Sequence, residues 1–187
     1  PPFPLKLLPD NTRLLATWGR QYQVNPGNAF ALLKEIGDDC AGAVRFVSPE
    51  RTDDAQRGGL SPISESEIGQ RLSLLESDPA AARSLNDEGR FSLAGAQAKI
   101  ALRLDGNSWH IPWGHEPTTH ILKPPRSDFA GHAENEHFCL KLASALGMRA
   151  AQTSVQSFAG SKAIVVKRFD RMLHQGKLYR VHREAMC

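Results

Sequence analysis

Near Gly89 the spacing of apolar residues changes from three and four to two, and this change constrains the fold more than any other feature of the chain. Before it the pattern is mostly helical. Asn11 can cap a segment in which Leu14, Leu15, Trp18 and Tyr22 recur at helical spacing, and Asn28 can cap another carrying Phe30, Leu33 and Ile36 before Gly37. Residues 43–47 read as a strand, residues 48–59 as polar loop or linker. Ser64 or Ser66 caps a third helix with Ile68, Leu72 and Leu75 on its buried face, interrupted or restarted at Pro79.

After Gly89 the pattern alternates. Residues 99–104 alternate apolar and basic or small, Asp105-Gly106 supplies a hairpin turn, and Trp109-His110-Ile111 forms the return strand. Residues 119–123 form another short strand that ends at Pro124-Pro125. Residues 133–146 carry the clearest helix, with Phe138, Cys139, Leu142, Ala143 and Leu146 on one stripe before Gly147. Three β-patterned segments follow, 152–158, 162–169 and 178–181, with turns at Gly160 and Gly176. The expected fold class is α+β: a helical and strand region with its linker over residues 1–88, then an antiparallel sheet with one main helix over residues 89–187.

At 187 residues the chain can bury a sizeable core. No apolar run approaches membrane-spanning length, and no signal-peptide pattern opens the sequence. Cys40, Cys139 and Cys187 are an odd number without metal-ligand spacing, so a reducing cytoplasm is the simplest setting and disulfides are not expected. The formal net charge is only +3, yet Lys141, Arg149, Lys162, Lys167, Arg168, Arg171, Lys177, Arg180 and Arg183 are opposed after residue 140 by Asp170 and Glu184 alone. A solvated basic face is the commoner meaning of such an excess. Nucleic-acid contact is the second, without the interleaved aromatics of a stacking platform. The start at Pro1-Pro2 without methionine and the stop at Cys187 in strand-like sequence read as the ends of a fragment.

Chemistry concentrates after the change of period. In Ser92-Leu93-Ala94-Gly95-Ala96-Gln97, small side chains bracket a glycine, so successive backbone N–H groups can approach anionic oxygens. A tight small-residue turn is the plainer reading. Lys123 ends an apolar strand where a cation could neutralise phosphates, and Glu134 and Glu136 in the next helix are candidate partners. Lys99 could reach the same phosphates or serve on its strand surface. The two histidines of His132-Ala133-Glu134-Asn135-Glu136-His137 stand about 140° apart around a helix, unlike the zinc-protease pair, and no metal site of protein ligands is expected. No G-x-S-x-G appears and no cysteine pairs persuasively with a histidine.

Small-residue loop, hairpin, lysine-ended strand, single helix and further antiparallel strands follow the plan of a kinase amino-terminal lobe. With those residues in place, the chain resembles the HipA family of serine/threonine kinase toxins from bacterial toxin–antitoxin modules. The likeness is carried by Leu7-Leu8-Pro9-Asp10, Glu35-Ile36-Gly37, Gly42-Ala43-Val44, Ser92 through Lys99, Pro117 through Lys123, Asn135-Glu136, Arg168-Phe169-Asp170-Arg171 and Arg183 through Cys187, in the family's order.

The resemblance implies that Ser92, Leu93, Ala94, Gly95, Ala96 and Gln97 bind nucleotide phosphates, that Lys123 binds ATP with Glu136 as its partner, and that Glu184 with the backbone near Met186 meets adenine. It implies that Ser92 is an autophosphorylation site whose modification ejects the loop. A phosphate of about −1.5 to −2 charges there would repel the γ-phosphate. It further implies ATP and Mg²⁺ as cofactors, a helix-turn-helix antitoxin, operator DNA reached through the antitoxin complex, and a protein substrate such as an aminoacyl-tRNA synthetase.

Lys167 departs from the acidic residue of many relatives, which puts any ion pair there in doubt. The family's catalytic aspartate, asparagine and metal-binding aspartate would follow the hinge at which this sequence ends, so no catalytic residue is expected within it. Two other readings stand beside the kinase: a non-catalytic module contacting an antitoxin or DNA, and an inert proteolytic product.

Overall fold

The computed structural model describes residues 3–78, 90–126 and 129–183. After a 3₁₀ turn at Phe3–Leu7, helix α1 (Thr12–Gln21) starts where Asn11 Oδ1 accepts the Leu14 N–H at 3.0 Å. Helix α2 (Ala29–Ile36) starts in the same way, with Asn28 Oδ1 accepting from Ala31 N at 3.1 Å. These caps satisfy donors that a helix start leaves without partners. Leu7, Leu8, Leu14, Trp18, Leu32, Leu33, Ile36 and Cys40 close over one another as the first core.

The strand that follows is not the one the alternation of residues 43–47 suggests. Strand β1 is Asp39–Cys40, and residues 43–47 run as irregular chain. Val44 and Phe46 lean on the first core without an adjacent strand, and the Phe46 N–H donates to Gly37 O at 2.8 Å. Their apolar alternation serves packing, not a ladder.

Residues 48–59 are not a linker either. They hold a 3₁₀ turn (Pro49–Arg51), a short helix α3 (Thr52–Gln56) and the start of strand β2 (Gly58–Pro62). Glycine at 59 serves close approach, since a Cβ there would stand 2.7 Å from the Trp113 ring of the neighbouring strand. Helix α4 (Glu65–Ser77) starts with a reciprocal capping box between Ser64 and Glu67. Pro79 lies outside the described residues.

Strand β3 (Phe91–Ser92) pairs in parallel with β1, Asp39 opposite Phe91 and Cys40 opposite Ser92. Strands β4 (Ile100–Asp105) and β5 (Ser108–Gly114) form the expected hairpin. Strand β6 (His120–Lys123), helix α5 (His132–Ala145), and strands β7 (Thr153–Phe158) and β8 (Ser161–Lys167) follow. An antiparallel sheet of order β2-β5-β4-β6-β8-β7 results. The chain then adds β9 (Arg171–His174), unforeseen in the sequence, which pairs with β10 (Lys177–Arg180) in a separate two-stranded ribbon.

Alternation along the central strands sorts the two faces of this sheet. Leu122, Ala163 and Val165 join Ile68, Leu72 and Leu75 of α4 in the second core, whereas Ile121, Lys123 and Val166 face an open cleft on the other side. Helix α5 leaves its apolar stripe uncovered. Among its residues only Ala133 is buried, while Phe138 is 64% and Leu146 68% exposed, and Cys139 and Leu142 are also exposed. The apolar stripe faces away from the sheet, because the side chains turned inward are Glu136 and His137, which bond Lys123 and Thr153.

Candidate functional site: a loop-covered cleft

Between the β3–β4 loop and the open face of the sheet lies a cleft of about 490 Å³. Leu93, Ala94, Gly95, Ala96, Gln97 and Lys99 form one side, Ile121, Lys123 and Val166 the floor, and Ala41, Gly42, Arg168, Phe169 and Asp170 the far wall. A nucleotide-sized ligand needs a concave site of this order.

Lys123 and Glu136, placed on consecutive elements of the chain, meet there. Lys123 Nζ donates to Glu136 Oε1 at 2.6 Å, both side chains about three-quarters buried. Glu134 turns elsewhere and pairs with Lys162. An ammonium held by one carboxylate keeps further donors for a ligand, since Lys carries three N–H groups and no acceptor.

The loop is held by side chains from its own flanks. Lys99 Nζ donates to Ala94 O at 2.6 Å and to Gly95 O at 3.3 Å, and Gln97 Nε2 donates to Pro124 O at 3.1 Å. Gly95 has φ +99°, a conformation that favours glycine, and a Cβ there would sit 3.0 Å from Lys99 Nζ. Burial, and after it the charge of Lys123, push the Lys99 ammonium down to about 8. Lys99 therefore lines the cleft while holding the loop, a contact beyond the two roles the sequence offers.

Ser92 does not face the cleft opening. It is fully buried, and its Oγ–H donates to Leu7 O at 2.7 Å. Leu93 is buried beside it, whereas Ala94, Gly95, Ala96 and Gln97 border open space. Glu184 and Met186 lie outside the described residues. Arg183 stands with its guanidinium 5.5 Å from the centre of the Phe169 ring, at the far wall.

The basic excess of the carboxyl half is in part internal, against the expectation of a solvated face. Arg168 and Arg171 have side chains only 2% exposed, clasped by Asp39 and Asp170. Asp39 is a residue that sequence reasoning did not select, because an acid after a helix carries no pattern. Asp170 lay in a segment noted for its family likeness, without a role.

Among the described residues no group of three or more His, Cys, Asp and Glu side chains could hold a metal ion, and no helix is long and apolar enough to cross a membrane.

This architecture has known counterparts. A family model described as the HipA N-terminal domain matches residues 1–47, and one described as the HipA-like C-terminal domain matches residues 91–187. The chain belongs to the HipA family. It is 38% identical over 193 residues to the protein Y4mE of Sinorhizobium fredii, covering 100% of this chain and 45% of that protein. It is 34% identical over 179 residues to the serine/threonine-protein kinase toxin HipA of Shewanella oneidensis, covering 90% of this chain and 37% of the toxin. The structure of Shewanella oneidensis HipA with HipB and operator DNA superposes with a TM-score of 0.72 at 33% identity, over 96% of this chain and 41% of that one. The chain thus spans less than half the length of these relatives. The kinase family and the α+β fold expected from the sequence are the ones found.

Proposed function

We propose that this chain is the nucleotide-gripping part of a HipA-type serine/threonine kinase. The observation that carries this reading is the Lys123–Glu136 pair, 2.6 Å apart, set on the floor of a cleft opposite a small-residue loop. In kinases a strand lysine held by a helix glutamate neutralises nucleotide phosphates while a glycine-containing loop covers them. Here Lys123 takes the cation's role, the backbone of residues 94–97 covers the phosphates, and Lys99 fixes the loop. Adenine would meet Glu184 and Met186.

Mg²⁺ fits the described residues poorly. Two carboxylates near the cleft are engaged, Glu136 by Lys123, and Asp170 by Arg168 and the Gly42 N–H. No step is therefore routed through a metal held by this chain. Transfer of the γ-phosphate to serine of a protein substrate, such as an aminoacyl-tRNA synthetase, belongs to the whole kinase, as does autophosphorylation of Ser92. Ser92 must leave its bond to Leu7 O before it can accept a phosphate. For partners, the HipA–HipB–operator complex of Shewanella oneidensis supports a helix-turn-helix antitoxin and, through it, DNA. Direct DNA contact through Arg168 and Arg171 is disfavoured by their burial.

Titration of the chain with a fluorescent ATP analogue tests the reading. Saturable binding, displaced by ATP and lost in Lys123→Met, is expected; a folded wild-type chain that binds no ATP overturns it. Salt-dependent binding to operator DNA by the chain alone would favour the non-catalytic module instead.

A further inference from the structure

We infer that Asp39, in the segment matched by the HipA N-terminal domain, is a positioning residue for the nucleotide cleft, setting its far wall through a buried charge knot. The inference rests on the nucleotide reading above. Asp39 Oδ1 accepts from Arg171 at 2.8 Å and from Arg180 Nε at 2.8 Å. Its Oδ2 accepts from Thr118 N at 3.0 Å, Thr118 Oγ1 at 2.6 Å and Arg168 at 3.3 Å. The side chain is 6% exposed. A carboxylate so buried persists only with its lone pairs taken and its charge met.

The knot reaches the cleft through two arginines. Arg168 donates from Nε and a terminal nitrogen to both Asp170 oxygens at 3.0 and 2.8 Å, and to Cys40 O at 2.9 Å. Arg171 donates to Gly42 O at 3.1 Å, and Asp170 Oδ2 accepts the Gly42 N–H at 2.7 Å. Both polar groups of the Gly42 backbone are therefore held by side chains that Asp39 helps to hold. Gly42, Arg168, Phe169 and Asp170 are the far wall itself.

Charge decides how this wall responds to change. Asp39 and Asp170 stand against Arg168, Arg171 and Arg180. Asp39→Asn leaves one carboxylate among three guanidinium groups, and the new amide turns a donor toward groups that are themselves donors. The arginines then compete for Asp170, and the Gly42 N–H loses its acceptor. The first domain of the family so reaches the nucleotide site of the second without touching the phosphates.

The test is ATP affinity of the full chain in Asp39→Asn, measured where circular dichroism shows the variant folded, together with the Gly42 amide resonance without nucleotide. The expected result is a loss of affinity of about threefold or more and a shifted Gly42 amide, with at least half the loss recovered on adding Arg180→Gln. Arg180 lies outside the cleft lining, so recovery reports restored charge balance. Affinity within about threefold of wild type, or a loss that Arg180→Gln does not recover, overturns the inference. Should Asp39→Asn not fold, Thr118→Val removes the hydroxyl shared by Asp39 and Arg168, and the same threshold of about threefold decides. A wild-type chain that binds no ATP defeats the nucleotide reading instead. The Gly42 shift then decides alone whether Asp39 sets the wall.

Discussion

The Ser92 hydroxyl donates to the Leu7 carbonyl at 2.7 Å, tying the start of the cleft loop to the first turn of the chain. Ser92 is fully buried, and its backbone pairs with Cys40 in the parallel β1–β3 ladder. A phosphorylated serine cannot donate this bond and brings about −1.5 to −2 charges into a site where, among the described residues, Ser92 bonds the Leu7 carbonyl and no cation. Ser92→Ala should cost about 1–3 kcal/mol by stranding the Leu7 carbonyl, and Ser92→Asp should cost more by burying an unpaired charge. Urea denaturation of the two variants checks the order. In Ser92→Asp, amides of residues 91–99 should exchange faster with deuterium, and equal protection in both variants would refute the link between this serine and the loop.

The Lys123–Glu136 pair leads to a prediction that separates its members. Lys123→Met should abolish measurable ATP binding, because it removes the cation itself. Glu136→Gln keeps a hydrogen-bond acceptor for Lys123 but loses the charge that orients it, and should weaken ATP by about tenfold, a loss near 1.4 kcal/mol. Isothermal titration of each variant would detect this. Equal affinity in Glu136→Gln and wild type would make the pair a structural one.

Much of this site was legible in the sequence, and the reasons are local. Asn11, Asn28 and Ser64 cap helices through atoms within three residues of themselves, so their positions announce the elements. Lys123 and Glu136 lie on adjacent elements, and a strand-ending lysine followed by an acidic helix start is a pattern one can read. Asp39 was hidden because its partners are remote: Thr118, Arg168, Arg171 and Arg180 come from other elements of the chain. Residues 58–62 escaped notice because glycine and proline are depleted from strands in general, yet here they suit an edge beside the Trp113 ring. The apolar stripe on α5 is visible in the sequence, and its outward direction is not. Periodicity shows that a helix has a face, not which face meets the sheet.

Lys99 gives a pH prediction whose sign can be worked out. Its ordinary value of 10.5 falls to about 8 in the fold, through burial first and the Lys123 charge second. Between those values the unfolded chain holds the proton more tightly than the native one, so this lysine makes stability rise with pH from about 8 to 10.5 and leaves it flat below. Lys99→Met lacks that contribution. The difference in unfolding free energy, wild type minus variant, should grow by about 1–3 kcal/mol between pH 7.5 and 10.5. Urea midpoints of both proteins at the two pH values test it, and a difference constant with pH would mean that Lys99 keeps its ordinary affinity for the proton.

The outward stripe of α5 predicts an asymmetry between two helices that look alike in sequence. Leu72 of α4 is fully buried in the second core, whereas Leu142 of α5 is 48% exposed. Leu72→Ala should cost about 2–5 kcal/mol, the transfer of its side chain plus the cavity left behind. Leu142→Ala or Phe138→Ser should change the stability of this chain by no more than about 0.5 kcal/mol, since little apolar surface leaves or enters water. The same exposed substitutions should make the chain more soluble, because Phe138, Leu142, Leu146 and Met148 present neighbouring apolar surface to solvent. Chemical denaturation and the concentration at which light scattering rises would check both halves. A cost at Leu142 comparable with that at Leu72 would mean that this face packs against the sheet after all.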